Sequence, residues 1–245
     1  MRYFLDLSFK GTAYAGWQVQ PDQPSIQGEL EGVLSKIFDQ HIPVTGAGRT
    51  DAGVHAHQIF AHFDAPKDLP ERPFKAFNQM LPPDISVQRI IPVAKDAHAR
   101  YDATSRSYRY FIHHQKDPML YDRSFFFPFE VNRDTMEKGT QLLLGEIDFA
   151  PLSRHNPDLK HTRCTIHSAH WETLPETSQL VFHISANRFL HNMVRRIVGA
   201  LLHIGVGKLS LDDWRLTLEE GKPLPINKTI PPQGLFLWSV QYPYI

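Results

Sequence analysis

Disulfides, membrane spans, repeats and bulk charge are all missing from this chain. Its single cysteine, Cys164, has no partner within 245 residues, so an internal disulfide is excluded and nothing asks for an oxidising compartment. The most apolar stretch, residues 197–207, is interrupted by His203 and falls far short of the roughly 20 residues that cross a bilayer. A membrane-spanning helix is excluded, and the cytoplasm is the expected location. The opening MRYFLDLSFKG alternates apolar and polar residues and lacks the apolar centre of a signal peptide, so it reads as a strand of the mature protein. Low-complexity segments and short-period repeats are absent, which argues against a solenoid. Lys plus Arg and Asp plus Glu number 26 each, and a formal net charge of zero supplies no bulk attraction to a polyanion.

What is present is ordinary globular composition, 42% hydrophobic and 21% charged, in a chain long enough for one large domain or two small ones. The charge is segregated. Residues 98–116 hold Arg100, Arg106, Arg109 and Lys116 against Asp102 alone, four bases less one acid, or +3. Residues 188–208 hold Arg188, Arg195, Arg196 and Lys208 with no acid, whereas residues 212–222 hold four acids against two bases.

Periodicity predicts an α+β order. Residues 2–9 form a strand; after the loop GTAYAGWQVQPDQP, Ser25 caps a helix with Ile26, Leu30, Val33, Leu34, Ile37 and Phe38 on one face. Strands follow at residues 42–45 and 57–63, a helix at 72–80 ended by Pro82 and Pro83, and a strand at 85–91. A second cycle has a strand at 105–113, a helix at 134–144 stopped by Gly145, strands at 163–172 and 180–186, and an amphipathic helix at 190–204. The expected architecture is two ferredoxin-like (RRM-like) halves with mainly antiparallel sheets around a central active-site cleft. Their boundary falls between residues 92 and 100, giving domains 1–95 and 96–245.

Three segments are candidates for chemistry. GAGRTDAGVHA, residues 46–56, sets three glycines around Arg49 and Asp51; glycine lets backbone approach a ligand, and a carboxylate beside a cation stays ionised as a nucleophile or base. Taken alone it also fits a glycine-rich turn in which Asp51 caps amides and Arg49 pairs with it. In ATSRSYRY, residues 103–110, alternation sends Arg106, Tyr108 and Tyr110 to one strand face, a mixture that stacks on bases and holds phosphates, although core tyrosines give the same pattern. In NRFLHNMVRRIVG, residues 187–199, Arg195 lies early in a helix, where it can reach a phosphate or a carboxylate or stand solvated. His55, His57 and His62 near Asp51 invite a metal reading. No HExxH helix, cysteine pair or second nearby carboxylate accompanies them, so no metal site is expected.

Together GRTDAGVHA, ATSRSYRY and FLHNMVRRIVG, preceded by FKGTAYAGWQVQPDQPSIQGELE and the Asn-x-x-Leu-Pro turn at residues 78–82, resemble the TruA family of tRNA pseudouridine synthases over essentially the whole chain. Lys10 stands where family members commonly carry an acid beside Gly11, and the neutral net charge departs from the basic character of many members. The resemblance implies that Asp51 is the catalytic carboxylate, Arg49 its orienting or stack-opening neighbour, and Arg195 its guanidinium partner. It implies that Tyr108 stacks on the target uridine; Arg106 and Tyr110, on the same strand face by alternation, are the further substrate-binding candidates. It further implies an isomerase needing no cofactor, acting on uridines 38 to 40 of the tRNA anticodon stem-loop as a homodimer. A noncatalytic RNA-binding module and a metal-dependent hydrolase built on His55, His57 and Asp51 are the competing readings.

Overall fold

The computed structural model describes residues 1–157, 159–226 and 228–245. In chain order the first elements are β1 (Arg2–Phe9), α1 (Ile26–Phe38), β2 (Thr45–Gly46), β3 (His55–Asp64), α2 (Pro73–Met80) and β4 (Ile85–Pro92). They are followed by β5 (Ser105–His113), β6 (Phe125–Phe126), α3 (Arg133–Gln141), β7 (Gly145–Asp148), β8 (Arg163–Thr173), β9 (Leu180–Ala186), α4 (Met193–Gly205), α5 (Leu211–Glu220) and β10 (Leu235–Gln241). This is a mixed α/β fold with mainly antiparallel strand pairing. Among the described residues no helix is long and apolar enough to cross a membrane.

The chain divides into two compact units, one of Met1–Thr104 with Phe236–Ile245 and the other of Ser105–Leu235. In the first, the strand order is β4-β1-β3-β10, with β2 also on β3. β1 pairs antiparallel with β3 from Arg2 opposite Asp64 to Phe9 opposite Ala56, and β10 joins β3 in parallel with Phe236 opposite His55. Alternation puts Leu5, Leu7, Ile59 and Phe63 on one face, where Phe38 of α1 and Phe77 of α2 each lie 6.3 Å from the Phe63 ring. On the other face Phe4 and Phe60 meet Tyr242 edge-on at 5.3 and 5.2 Å. Asp6, only 4% exposed, is held there by Arg89 at 2.7 Å.

The second unit orders its strands β5-β9-β8-β7, with β6 in parallel beside β5. The apolar stripe of α4, Met193, Val194, Ile197, Val198, Leu201 and Ile204, is buried. Two indoles fasten the helices. Trp171 of β8 donates to the Thr140 hydroxyl of α3 at 2.9 Å, and Trp214 of α5 donates to the Gly139 carbonyl at 2.8 Å. Close packing leaves no room at Gly205, where a Cβ would come within 2.6 Å of the Met136 sulfur.

Several expected elements move. The strand foreseen at 42–45 shrinks to Thr45–Gly46, because Pro43 has no amide to give a ladder. The helix foreseen to residue 144 ends at Gln141, and Gly145, at φ +96°, opens β7 instead of merely stopping the helix. Helix α4 begins at Met193 because Asn192 adopts φ +63°, outside the helical region.

Candidate active site

The loop carrying Asp51 leaves β2 and enters β3, and a second loop, residues 11–17, clasps it. The Trp17 amide donates to the Thr50 carbonyl at 3.1 Å, the Gly53 amide donates to the Tyr14 carbonyl at 3.4 Å, and the Val54 amide closes onto the Asp51 carbonyl at 3.2 Å. Gly16, at φ +101°, is required twice over, since a Cβ there would also sit 2.3 Å from the Thr50 carbonyl oxygen. Gly46 faces the Trp17 indole so closely that a Cβ would lie 2.5 Å from it. Gly53 takes φ +77° at the turn after Asp51. The clasp is anchored in turn: the Ile26 and Gln27 amides at the start of α1 donate to the Gly16 and Trp17 carbonyls at 3.2 and 3.0 Å. Tyr14 is 7% exposed and donates to Asp84 at 2.6 Å; burial first, then that bond, pushes its phenol well above the usual range. Asp51 is thus held, partly buried, on backbone that has little freedom.

Arg49 is exposed, and among the described residues nothing pairs with its guanidinium. Thr50 is 8% exposed and its hydroxyl has no hydrogen-bond partner among the described residues. The nearby histidines are occupied. His55, 1% exposed, accepts from the Gly11 amide at 3.0 Å, His62 accepts from the Ala99 amide at 3.1 Å, and His57 stacks on Trp238 at 4.1 Å. Among the described residues no group of three His, Cys, Asp or Glu is placed to hold a metal ion.

In the second unit, Tyr108 of β5 lies opposite Ile184 of β9 and meets Phe189 edge-on at 5.0 Å, partly exposed. Arg106, two residues earlier, donates to the Asn187 carbonyl at 3.0 Å. Tyr110 differs from its neighbours on that face: it is 0% exposed and donates to the Pro231 carbonyl at 2.7 Å, as a core tyrosine does, and burial drives its phenol far above the usual range. Arg195 is half-buried in the first turn of α4, with Nε donating to the Ile230 carbonyl at 2.7 Å and Nη1 to Asn192 at 3.2 Å. Arg196 is equally engaged, through the Thr229 hydroxyl at 3.3 Å and the Ser153 carbonyl at 2.5 Å, and burial lowers its basicity. Neither arginine is a solvated helix charge. Sequence reasoning noted the segment of Tyr14, Gly16 and Trp17 only as part of the family resemblance and did not foresee that it clasps the Asp51 loop.

A carboxylate on a braced glycine loop has the chemistry of a nucleophile or base, and, separately, a tyrosine two residues from an arginine on one strand has that of a contact to a base and its phosphate. Comparison with known proteins makes the class specific. Residues 7–102 and 140–243 match the family described as tRNA pseudouridine synthase. The tRNA pseudouridine synthase A of Porphyromonas gingivalis is 43% identical over 245 residues, covering 99% of this chain and 97% of that protein. The proteins of the same name from Chlorobaculum tepidum and Bacillus pumilus are 37% and 35% identical, covering 97% and 99% of this chain and 96% and 99% of their own lengths. The chain belongs to the tRNA pseudouridine synthase family, and is an isomerase acting on tRNA.

Proposed function

We propose that this protein converts uridine to pseudouridine at positions 38, 39 and 40 of the tRNA anticodon stem-loop, with Asp51 as the catalytic carboxylate. The observation that carries the reading is the Gly16–Thr50 clasp, which fixes the backbone on which Asp51 stands, within a GRTD segment like the family's. The reaction is balanced within the substrate. The N1–C1′ bond breaks, the uracil turns, a C5–C1′ bond forms, C5 loses a proton and N1 gains one, so neither an oxidant nor a cofactor is needed. Taking a paired uridine out of its stack costs a few kcal/mol, which backbone contacts elsewhere must offset.

In this reading Arg49, exposed at the tip of the loop, enters the RNA stack or orients the carboxylate, and Arg195 is its guanidinium partner. Tyr108 stacks on the target base and Arg106 holds a neighbouring phosphate, while Tyr110 fixes the strand that presents them. The two units, Met1–Thr104 with Phe236–Ile245 and Ser105–Leu235 rather than 1–95 and 96–245, act in this reading as ferredoxin-like domains, the first supplying Asp51 and Arg49 and the second Tyr108, Arg106 and Arg195. The protein works in the cytoplasm as a homodimer, which sedimentation at micromolar concentration tests.

The decisive experiment incubates wild type and Asp51→Ala with unmodified tRNA transcripts and maps pseudouridine by carbodiimide-dependent reverse-transcription stops. Stops confined to the anticodon arm, and lost by at least about a thousandfold in Asp51→Ala while tRNA binding persists, are expected. A folded wild type that binds tRNA without producing stops would make this a binding module.

A further inference from the structure

Residues 97–102, between β4 and β5, lie outside the catalytic loop, and an unusual number of side chains hold their backbone. The Ala99 amide donates to the His62 ring at 3.1 Å, and the His98 amide to Asp102 at 2.7 Å. The Arg100 and Tyr101 amides both donate to the His98 ring, at 3.1 and 3.3 Å. From the other direction, Arg2 donates to the Ala97 carbonyl at 2.9 Å while its fork grips Asp64, and Tyr242 donates to the Ala99 carbonyl. Tyr244 donates to Asp102 at 2.7 Å, so that carboxylate is committed to two donors of its own unit. Ala97 and Ala99 are buried, at 5% and 0% exposed.

What this braced loop displays is a cation and a ring. Tyr101 is 74% exposed, with His98 packed 4.3 Å from its ring and the Arg100 guanidinium 5.7 Å from its centroid. A single exposed aromatic needs no explanation, but one set beside an arginine on pre-ordered backbone is built like a stacking platform for single-stranded nucleic acid. Because the loop is ordered before binding, little further conformational freedom is lost when a ligand docks. The chain's net charge of zero means that attraction to a polyanion must come from local groups such as this one.

We propose that Arg100 and Tyr101 form an RNA contact separate from the catalytic loop, with the tyrosine stacking on one unpaired base and the arginine meeting an adjoining phosphate. The proposal rests on tRNA being the substrate, as argued above, and concerns binding alone.

The test measures the Kd for an unmodified tRNA transcript at several salt concentrations, and single-turnover pseudouridine formation at saturating enzyme. Wild type, Tyr101→Ala, Tyr101→Phe, Arg100→Ala and Asp51→Ala are compared. Tyr101→Ala is expected to weaken binding roughly tenfold, with Tyr101→Phe near wild type because the stacking face is kept. Arg100→Ala should weaken binding and reduce the slope of log K against log salt by about one. The single-turnover rate should stay at the wild-type value in all three. Wild-type affinity in Tyr101→Ala and Arg100→Ala, with an unchanged thermal midpoint, would overturn the proposal, as would altered sedimentation with unchanged tRNA affinity, which marks a protein contact. If wild type makes no pseudouridine, the functional reading fails by itself, and the Kd comparison still decides this one.

Discussion

Gly16, in the clasping loop, and Gly48, in the loop that carries Asp51, differ in what a methyl group would meet. At Gly16 the added Cβ strikes the carbonyl just before Asp51, whereas at Gly48 it meets nothing within 4 Å among the described residues. Gly16→Ala should therefore cost about 1–3 kcal/mol and, by displacing the carboxylate's backbone, slow single-turnover pseudouridine formation at least about tenfold. Gly48→Ala should leave stability within about 0.5 kcal/mol, which urea unfolding of the pair will show. The segment around Asp51 was legible in the sequence because glycines, an arginine and an aspartate crowd into a few positions. The need for Gly16 was not, because it arises from a carbonyl more than thirty positions away. The burial of Tyr110 was hidden for a similar reason: alternation puts it on the face of Tyr108, but the partner of its hydroxyl, Pro231, arrives from a distant stretch of chain.

At the scale of elements, α1 joins stability to the site. Ser25 accepts from the Gly28 amide at 3.2 Å, while Gln27 and Glu31 reach back to the Val44 carbonyl and amide at 3.2 and 3.0 Å. The helix thereby holds both the clasp before it and the approach to β2 after it. Ser25→Ala should lose the cap and about 1 kcal/mol, read as a lower urea midpoint with an unchanged slope. This helix was readable in advance because cap and periodicity agree. Short β6 and β7 were not, since strands of two and four residues are defined by their partners on β5 and β8. Helix α5 lay within the acidic stretch noted for its charge; Ser210 caps it through the Asp213 amide at 3.0 Å, and Trp214 supplies its buried anchor.

For the whole molecule, the long-range steps were the ones hidden from local pattern. The return of residues 236–245 to the first unit depends on parallel pairing of β10 with β3, and parallel pairing leaves no turn signal in the sequence. That unit also holds the clearest source of acid sensitivity. Burial, reinforced by Arg2 and His98 and opposed by Asp64 and Asp102, lowers the His62 pKa to about 4. In the second unit burial, reinforced by Arg109 and His170 and opposed by Glu172, likewise lowers that of His183. Unfolded, each imidazole takes its proton near 6.5. Between that pH and about 4 the unfolded chain binds more protons than the folded one at His62, so stability falls as pH is lowered through this window and the contribution is intact above it. The urea midpoint is therefore expected to hold from pH 8 to about 7 and to decline from about pH 6.5 toward 4.5. His62→Asn, which keeps an acceptor for the Ala99 amide and removes the titrating ring, should flatten that decline while lowering the neutral-pH midpoint. An equally steep decline in the variant would place the acid sensitivity elsewhere, with His183 and its Glu172 partner at 2.9 Å the next pair to replace.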